Sequence, residues 1–470
     1  MKKILLTTLL ASSVSYVLAD EAALQQRIDI LENKIAQLEN KSGDYPDFDD
    51  LESRIDGIEL ATLVNKIDFG IDFRTRADYF DYKYSGGDTA SNKNIWSNRV
   101  RLNMSSDVTD TMKFTGRLSM YKNWADSQIN TFSGMDPMQG RRPNDSTVFI
   151  ERAYVDWTVI SGDIPFILTI GRQPSSDGPS HQFKDNTVRK ATYSALSFDG
   201  AADGIVATLG LSATGIPGAA LRVGYGKGFQ NSTSTMMGFV GNSNSINDSN
   251  VLGVFLDFGL GLEGSLVQLS AVSATDIVSN TFDATGSTNT NIGDMMLYTA
   301  MVEFTNLAKT NLDVFAHYAV SVASPNGETG GMLMGDGNTY PMGLLTNVPN
   351  DTDDKTGSAF WVGARYTFEY AKMLNRPRLG IEYNQGSENW FSFTQGSNDL
   401  TNKLATRGTA LEAYYIQPIN RYAYVRLGAQ MIDYEYTGSG YQIGTPMKVA
   451  DVPGELDKIN NYYLMFELRY

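Results

Sequence analysis

The sequence predicts an all-β, antiparallel transmembrane barrel of about 16 strands, with 18 as the alternative, preceded by a short N-terminal helical segment. Three observations predict it. A three-part export signal opens the chain, side chains alternate apolar and polar from residue 66 onward, and the last strand carries an aromatic and apolar face that ends on Tyr470.

The export signal comes first. Lys2 and Lys3 form a basic start, an apolar stretch runs from Ile4 to Leu18, and Val17 and Ala19 place a small-residue cleavage site before Asp20. Residues 1–19 are expected to be a cleaved signal peptide, because the apolar run is short for an anchor and carries Thr and Ser. No later stretch reaches the ~18 consecutive apolar residues of a spanning helix. A mature chain in a membrane must therefore cross it with strands or attach to its surface. The chain of 470 residues has no Cys, which removes disulfides, thiolate metal sites and a lipidated cysteine. Closing a sheet into a barrel supplies stability another way, by pairing every strand edge. The net charge of −15 argues against nucleic-acid binding, which needs a basic footprint.

Residues 20–65 are expected to form a periplasmic helical, coiled-coil arm. Leu24, Ile28, Leu31, Ile35 and Leu38 recur at alternating four- and three-residue spacing, and Ser42–Gly43–Asp44–Tyr45–Pro46 interrupts the pattern. A second amphipathic piece presents Phe48, Leu51, Ile55 and Ile58. Ile at the a positions with Leu at d favours two strands in isolation. Each half is too short to dictate an oligomeric state. The narrow apolar seam favours an oligomerising or cell-wall-binding arm over a solvated spacer or a pore plug.

From residue 66 to 470 the period becomes two. Phe69, Ile71 and Phe73 alternate with Asp68, Asp72 and Arg74. Val100 and Leu102 alternate with Arg99 and Arg101. Phe360, Val362 and Ala364 oppose Trp361 and Arg365, Leu379 and Ile381 oppose Glu382, and Val425 and Leu427 oppose Arg426. A soluble sandwich could alternate in this way too. The strict segregation of mid-strand charge favours a bilayer, where one misplaced Arg would cost about 2–4 kcal/mol. Tyr79, Phe80, Tyr82 and Tyr84, then Phe368 and Tyr370, then Tyr434 and Tyr436 cluster near strand ends, as an interfacial girdle would. The Asn-, Ser-, Gly- and Thr-rich stretches 230–250, 275–292, 323–357 and 437–459 are expected to be long external loops, one of which could fold inward.

The terminal strand places Tyr462, Leu464, Phe466, Leu468 and Tyr470 on one face. It resembles the C-terminal assembly signal of bacterial outer-membrane barrels, with Tyr where Phe is usual. That resemblance implies residence in the outer membrane and passage through the barrel-assembly machinery. A narrower set is Gly171-Arg172-Gln173-Pro174, Ser176-Asp177-Gly178-Pro179, Phe198-Asp199 and Asp203-Gly204-Ile205. It resembles an uncharacterised family of porin-like outer-membrane proteins and brings no substrate with it. By analogy with porins the resemblance implies a homotrimer, which the two-stranded signature of the arm opposes.

No catalytic, metal or cofactor constellation stands out. The two histidines, His181 and His317, are expected to be structural rather than catalytic bases. Asn350–Lys355 reads as a solvated acidic turn more readily than as a calcium loop, because the closing Glu is missing. Gly224, Gly226 and Gly228 alternate inside a strand and read as close packing. The informative residues are the inward charges: Asp72, Arg74, Arg76, Asp78, Arg99, Arg101, Arg117, Arg365, Glu369, Glu382 and Arg426. Two readings stay open for them. They line a lumen and set a transverse field that sorts solutes, or they pair with one another and pack the wall. The expected function is a porin-type channel for passive diffusion of small hydrophilic solutes or ions, in contact with outer-membrane lipids. The alternative is a structural outer-membrane anchor or surface adhesin whose arm binds peptidoglycan; a soluble secreted β-protein is the weaker third.

Overall fold

A computed structural model describes residues 29–30, 32–33, 67–124, 148–230, 246–283, 286–333, 337–394 and 399–470. The expected helical arm falls outside the described residues except for Asp29, Ile30, Glu32 and Asn33, which are helical. The signal peptide also lies outside them.

The remainder is a closed antiparallel barrel of 16 strands. In chain order they are β1 (Asp68–Tyr84), β2 (Thr89–Thr109), β3 (Met112–Asn123), β4 (Val148–Ile160), β5 (Phe166–Arg172), β6 (Asp203–Gly210), β7 (Ala220–Phe229) and β8 (Ser249–Phe258). The second half holds β9 (Ser265–Asp283), β10 (Gly286–Phe304), β11 (Leu312–Pro325), β12 (Lys355–Thr367), β13 (Arg378–Gly386), β14 (Gly408–Pro418), β15 (Ala423–Tyr434) and β16 (Leu456–Arg469). Each pairs with the next, and β1 pairs with β16 from Asp72↔Arg469 to Tyr84↔Leu456. Ile71 and Tyr470 complete the seam by exchanging two backbone hydrogen bonds of 2.8 Å. Both ends of the barrel segment therefore meet at one rim, the terminal rim, where the turns are short. The longer connections gather at the opposite loop rim.

Alternation places apolar side chains outside and charge inside. Ile71, Leu379, Ile381, Leu427, Tyr462, Leu464 and Tyr470 are exposed on the outer face, whereas Arg76, Glu382, Arg426 and Glu467 are buried within. Arg365, which also points inward, is held by Asp313 at 2.6 Å. This follows from the pleat: a period of two gives every strand one face toward hydrocarbon and one toward the interior.

Three expectations about the connections change. Residues 275–283 and 286–292 are not a loop; β9 and β10 continue through them as a paired ribbon, with Ile277 and Ile292 packed in an apolar cluster. At 19 residues each, these strands exceed the ~9–11 that span a bilayer. The Asn-, Ser- and Thr-rich sequence suits a ribbon beyond the bilayer as well as it suits a loop, so periodicity could not separate the two. Asp276, in the left-handed region at φ 54°, forms the bulge where the ribbon begins. Inside 323–357 there is a small hairpin, Gly330–Leu333 with Thr339–Met342. Finally, residues 173–202 and the described parts of 387–407, namely 387–394 and 399–407, fold into the barrel, and the composition singled out neither stretch. They touch through a short parallel pairing of Phe198–Asp199 with Phe393–Thr394.

The aromatic assignments divide. Phe368 and Tyr370 are exposed at the terminal rim, and Tyr470 packs on Tyr422 there with ring centroids 5.4 Å apart. Phe80, Tyr82 and Tyr434 instead point inward and form an apolar cluster with Ile95, Leu400, Ile432 and Ile459. An inward-folded segment gives aromatic rings a dry partner inside the barrel, which a water-filled lumen would not.

Candidate functional site: the barrel interior

The interior is built by the inner faces of the strands and by the two infolded segments. Residues 173–202 enter after β5. Gln173 donates to the Gly204 carbonyl at 2.8 Å, Arg172 pairs with Asp203 at 2.7 Å, and the backbone N–H of Asp177 donates to Asp199 at 2.9 Å. The motif residues that carried the family resemblance thus staple the two ends of this segment together. Its deepest point is a single helical turn, His181–Lys184, entirely buried.

Ten of the eleven inward charges lie on the inner wall, and they face packed protein. Arg101 contacts Asp177 at 3.0 Å and Glu151 at 3.1 Å; Arg117 shares the same two acids at 3.1 and 3.3 Å. Arg99 holds Glu467 at 2.7 Å, and Arg74 sits in register beside both of them. Arg76 bonds Asp78 at 2.7 Å and also reaches Asp399, with its guanidinium 3.9 Å over the Tyr463 ring. Asp72 forms an ion pair with Arg469 at 3.1 Å. Arg426 holds Asp185 at 3.1 Å and the Lys184 carbonyl at 2.7 Å, while Arg365 donates to the Phe183 carbonyl at 2.7 Å. Lys403 from the second infolded segment bridges Glu382 and Glu412, and Lys184 bridges Glu412 and Asp399. The eleventh candidate, Glu369, lies beyond the end of β12 in the turn 368–377 and pairs with Arg376 at 2.9 Å near solvent. Its strand ends two residues earlier than alternation suggested.

Of the two readings left open by the sequence, the geometry matches mutual pairing. Charges removed from water cost several kcal/mol each unless well paired, so this density of pairs explains why the infolded segments sit where they do. Sequence reasoning missed Glu151, Asp177, Lys184, Asp185, Asp399, Lys403, Glu412 and Glu467. Glu412 and Glu467 sit on polar strand faces and were detectable by alternation; Lys184, Asp399 and Lys403 lie in connections, where no period exists to follow.

The histidines are buried in the same interior. His317 stands between Ser194 (2.7 Å) and Ser180 (3.1 Å), and Ser180 donates to Glu303 at 2.7 Å. The hydroxyl that would be a nucleophile is thus engaged by a carboxylate, and His317 is 2 % exposed. His181 stacks near Trp361 with centroids 5.2 Å apart. The contacts of both side chains are those of packed structural groups. At the loop rim the Asp351 carboxylate accepts from Thr346 (2.7 Å), Lys355 (2.9 Å) and the Asp353 N–H (3.0 Å). Those bonds, the Thr346 hydroxyl first, hold its pKa down at about 2.

Cavities open beside these packed groups. A cavity of about 910 Å³ opens at the terminal rim and is lined by Lys113, Asp156, Thr208, Arg189, Arg222 and Tyr193 among others. A second of about 550 Å³ lies toward the loop rim between the strap 198–204 and strands β6–β9, lined by Gly204, Gly224, Gly226, Phe255, Val272 and Phe393. On the outer face, Tyr462, Leu464 and Tyr470 are exposed while Tyr463, Met465 and Glu467 are buried, as the terminal-strand pattern requires.

Comparison with known proteins agrees with this architecture. A sequence family described as a protein of unknown function, DUF3373, matches residues 89–470. No curated protein matches. Among solved structures the chain is similar to OprB of Pseudomonas putida, at 12% identity and a TM-score of 0.52, covering 88% of this chain and 96% of that one. It is also similar to the anion-selective porin from Comamonas acidovorans, at 10% identity and a TM-score of 0.47, covering 86% and 99%. The OmpF of Salmonella typhi gives 10% and 0.46, covering 86% and 97%. At these identities the likeness concerns the fold.

Proposed function

The chain belongs to the DUF3373 family of proteins of unknown function, and from that premise we propose that it is an outer-membrane channel for passive diffusion of small hydrophilic solutes or ions. The supporting observation is the pair of cavities inside a closed barrel, one from each rim. An apolar outer face with a polar, partly hollow interior is the division a lipid-embedded channel requires. In this reading residues 1–19 direct export, and the terminal strand of Tyr462, Leu464, Phe466, Leu468 and Tyr470 is read by the barrel-assembly machinery. Residues 20–65 form a periplasmic arm whose seam of Leu24, Ile28, Leu31, Ile35 and Leu38 joins subunits into a homotrimer or meets peptidoglycan. In this reading the barrel is not an enzyme and takes no cofactor.

A second reading has its own support. The charged network fills much of the lumen, as a purely structural anchor or adhesin would tolerate. Planar-bilayer recording separates the two: stepwise currents from folded protein fit the channel, and silence fits the anchor.

A further inference from the structure

Inside the channel just proposed, the route does not run along the barrel axis past the arginines. We infer that solutes cross off-axis, past β2–β7 at the terminal rim and β6–β9 at the loop rim, through a neck formed by Gln173, Tyr193 and Val206. This inference rests on the channel reading and names its size-limiting residues.

Three observations carry it. First, the two cavities approach from opposite rims, and Gln173, Tyr193 and Val206 line both of them. The partition is therefore one layer of side chains thick. Second, each of the three is fixed. Gln173 donates to the carbonyls of Gly171 (3.1 Å) and Gly204 (2.8 Å). The Tyr193 ring leans on Phe255 with centroids 4.4 Å apart and meets Phe198 edge-on at 6.0 Å. Val206 projects from β6 toward Gly224, where a Cβ would lie 3.1 Å from its methyl group and 4.0 Å from the Tyr193 hydroxyl. Third, Gly224 and Gly228 on β7 line the loop-rim cavity and send no side chain into it; a Cβ there would find its nearest neighbours at 3.1 and 3.5 Å, whereas Gly204 and Gly226 lie against the backbone of the adjoining strand. Elsewhere in the described interior charged groups reach across the barrel, Arg76 and Lys184 to Asp399 and Lys403 to Glu382.

The neck carries no charged side chain. Passage there is decided by cross-section, and Tyr193 is the part that sets it. A solute crosses this partition past the Tyr193 ring, and a broader one must displace it.

The chain's lack of Cys makes the test direct. Single-channel conductance is recorded for the full-length protein, Tyr193→Ala, Thr208→Cys (terminal-rim cavity), Gly228→Cys (loop-rim cavity) and Ala410→Cys (packed half). A charged methanethiosulfonate reagent is then added. Tyr193→Ala is expected to raise conductance several-fold and to admit larger sugars in liposome swelling. The reagent is expected to depress current in Thr208→Cys and Gly228→Cys and to leave Ala410→Cys unchanged. Open wild-type channels with an unaltered Tyr193→Ala, or with a block at Ala410→Cys alone, would overturn the route while leaving the channel reading intact. Currents from Tyr193→Ala but not from wild type would support the neck as a closed gate. Silence from both, with heat-modifiable mobility proving that each is folded, would overturn the route and the channel together.

Discussion

The two halves of the interior are built on opposite principles. Along β1–β4 and β11–β16 the inner wall bristles with charge, and Arg76, Arg101, Arg117, Arg365 and Arg426 reach infolded segments. Along β5–β9 the wall carries glycine, valine and phenylalanine beside the Arg222–Asp257 pair, and space remains. The charged half owes its order to Coulombic pairing in a dry setting, where losing one partner costs far more than the pair itself contributes. The hollow half adds to its strand ladder the packing of Tyr193, Phe255 and Val272 and the Arg222–Asp257 ion pair at 2.6 Å. Charge inside a barrel is therefore no marker of where water runs; here it marks where water has been excluded.

The largest expected effect tests the charged half. Lys184 joins Asp399 to Glu412, so Lys184→Met removes one cation from each of two buried acids, with Arg76 and Lys403 still in place, and should cost about 3 kcal/mol. A lowered urea midpoint, with the barrel still showing heat-modifiable mobility, checks it; an unchanged midpoint would mean the network is dispensable. Next is Arg101→Glu. The sequence alone suggested a shift in ion selectivity, but the structure places Arg101 between Glu151 and Asp177. The substitution should loosen residues 173–202 to proteolysis, and adding Asp177→Lys should restore part of the loss. A double-mutant cycle showing no coupling would contradict the pairing.

A smaller effect is expected at the glycine notches. Gly428 lies under the Tyr463 ring and Gly380 under Tyr414, with an added Cβ only 2.2 Å from ring carbon in each case. Gly428→Val should destabilise by about 1–3 kcal/mol through overpacking, measurable as an earlier unfolding midpoint. The smallest effect concerns pH. The Asp351 pKa is lowered to about 2, so its contribution to the order of the 346–355 loop is complete above the ordinary carboxylate range. It is lost as pH falls toward 2. Protection of the loop amides, taken relative to intrinsic exchange, should fall only as pH drops toward 2; equal protection at about pH 1.5 and pH 5 would show that the Thr346 and Lys355 contacts are idle.

Much of the barrel was legible because a strand's period of two carries two independent signals, burial and charge, at every pair of residues. Arg365, Glu382 and Arg426 could be assigned to the inner face from their neighbours alone. What they met there was not legible. Asp399 lies more than three hundred residues from Arg76 in sequence, and Lys184 more than two hundred from Glu412, in stretches with no periodicity. The Asp177 motif was noticed for its resemblance, yet its role as a staple to Asp199 needed the fold. Glu369 shows the error at the other end: alternation predicts a face for as long as it is extrapolated, and it cannot say where a strand stops.

The seam between β1 and β16 has a consequence for biogenesis. The two strands that close the cylinder come from opposite ends of the barrel segment, so the unfinished sheet keeps two bare edges until the last strand is in place. Bare edges invite pairing with any neighbouring chain, and contacts this distant in sequence form slowly. An escort that shields both edges in transit, and releases them only when they can meet, is what such a closure demands.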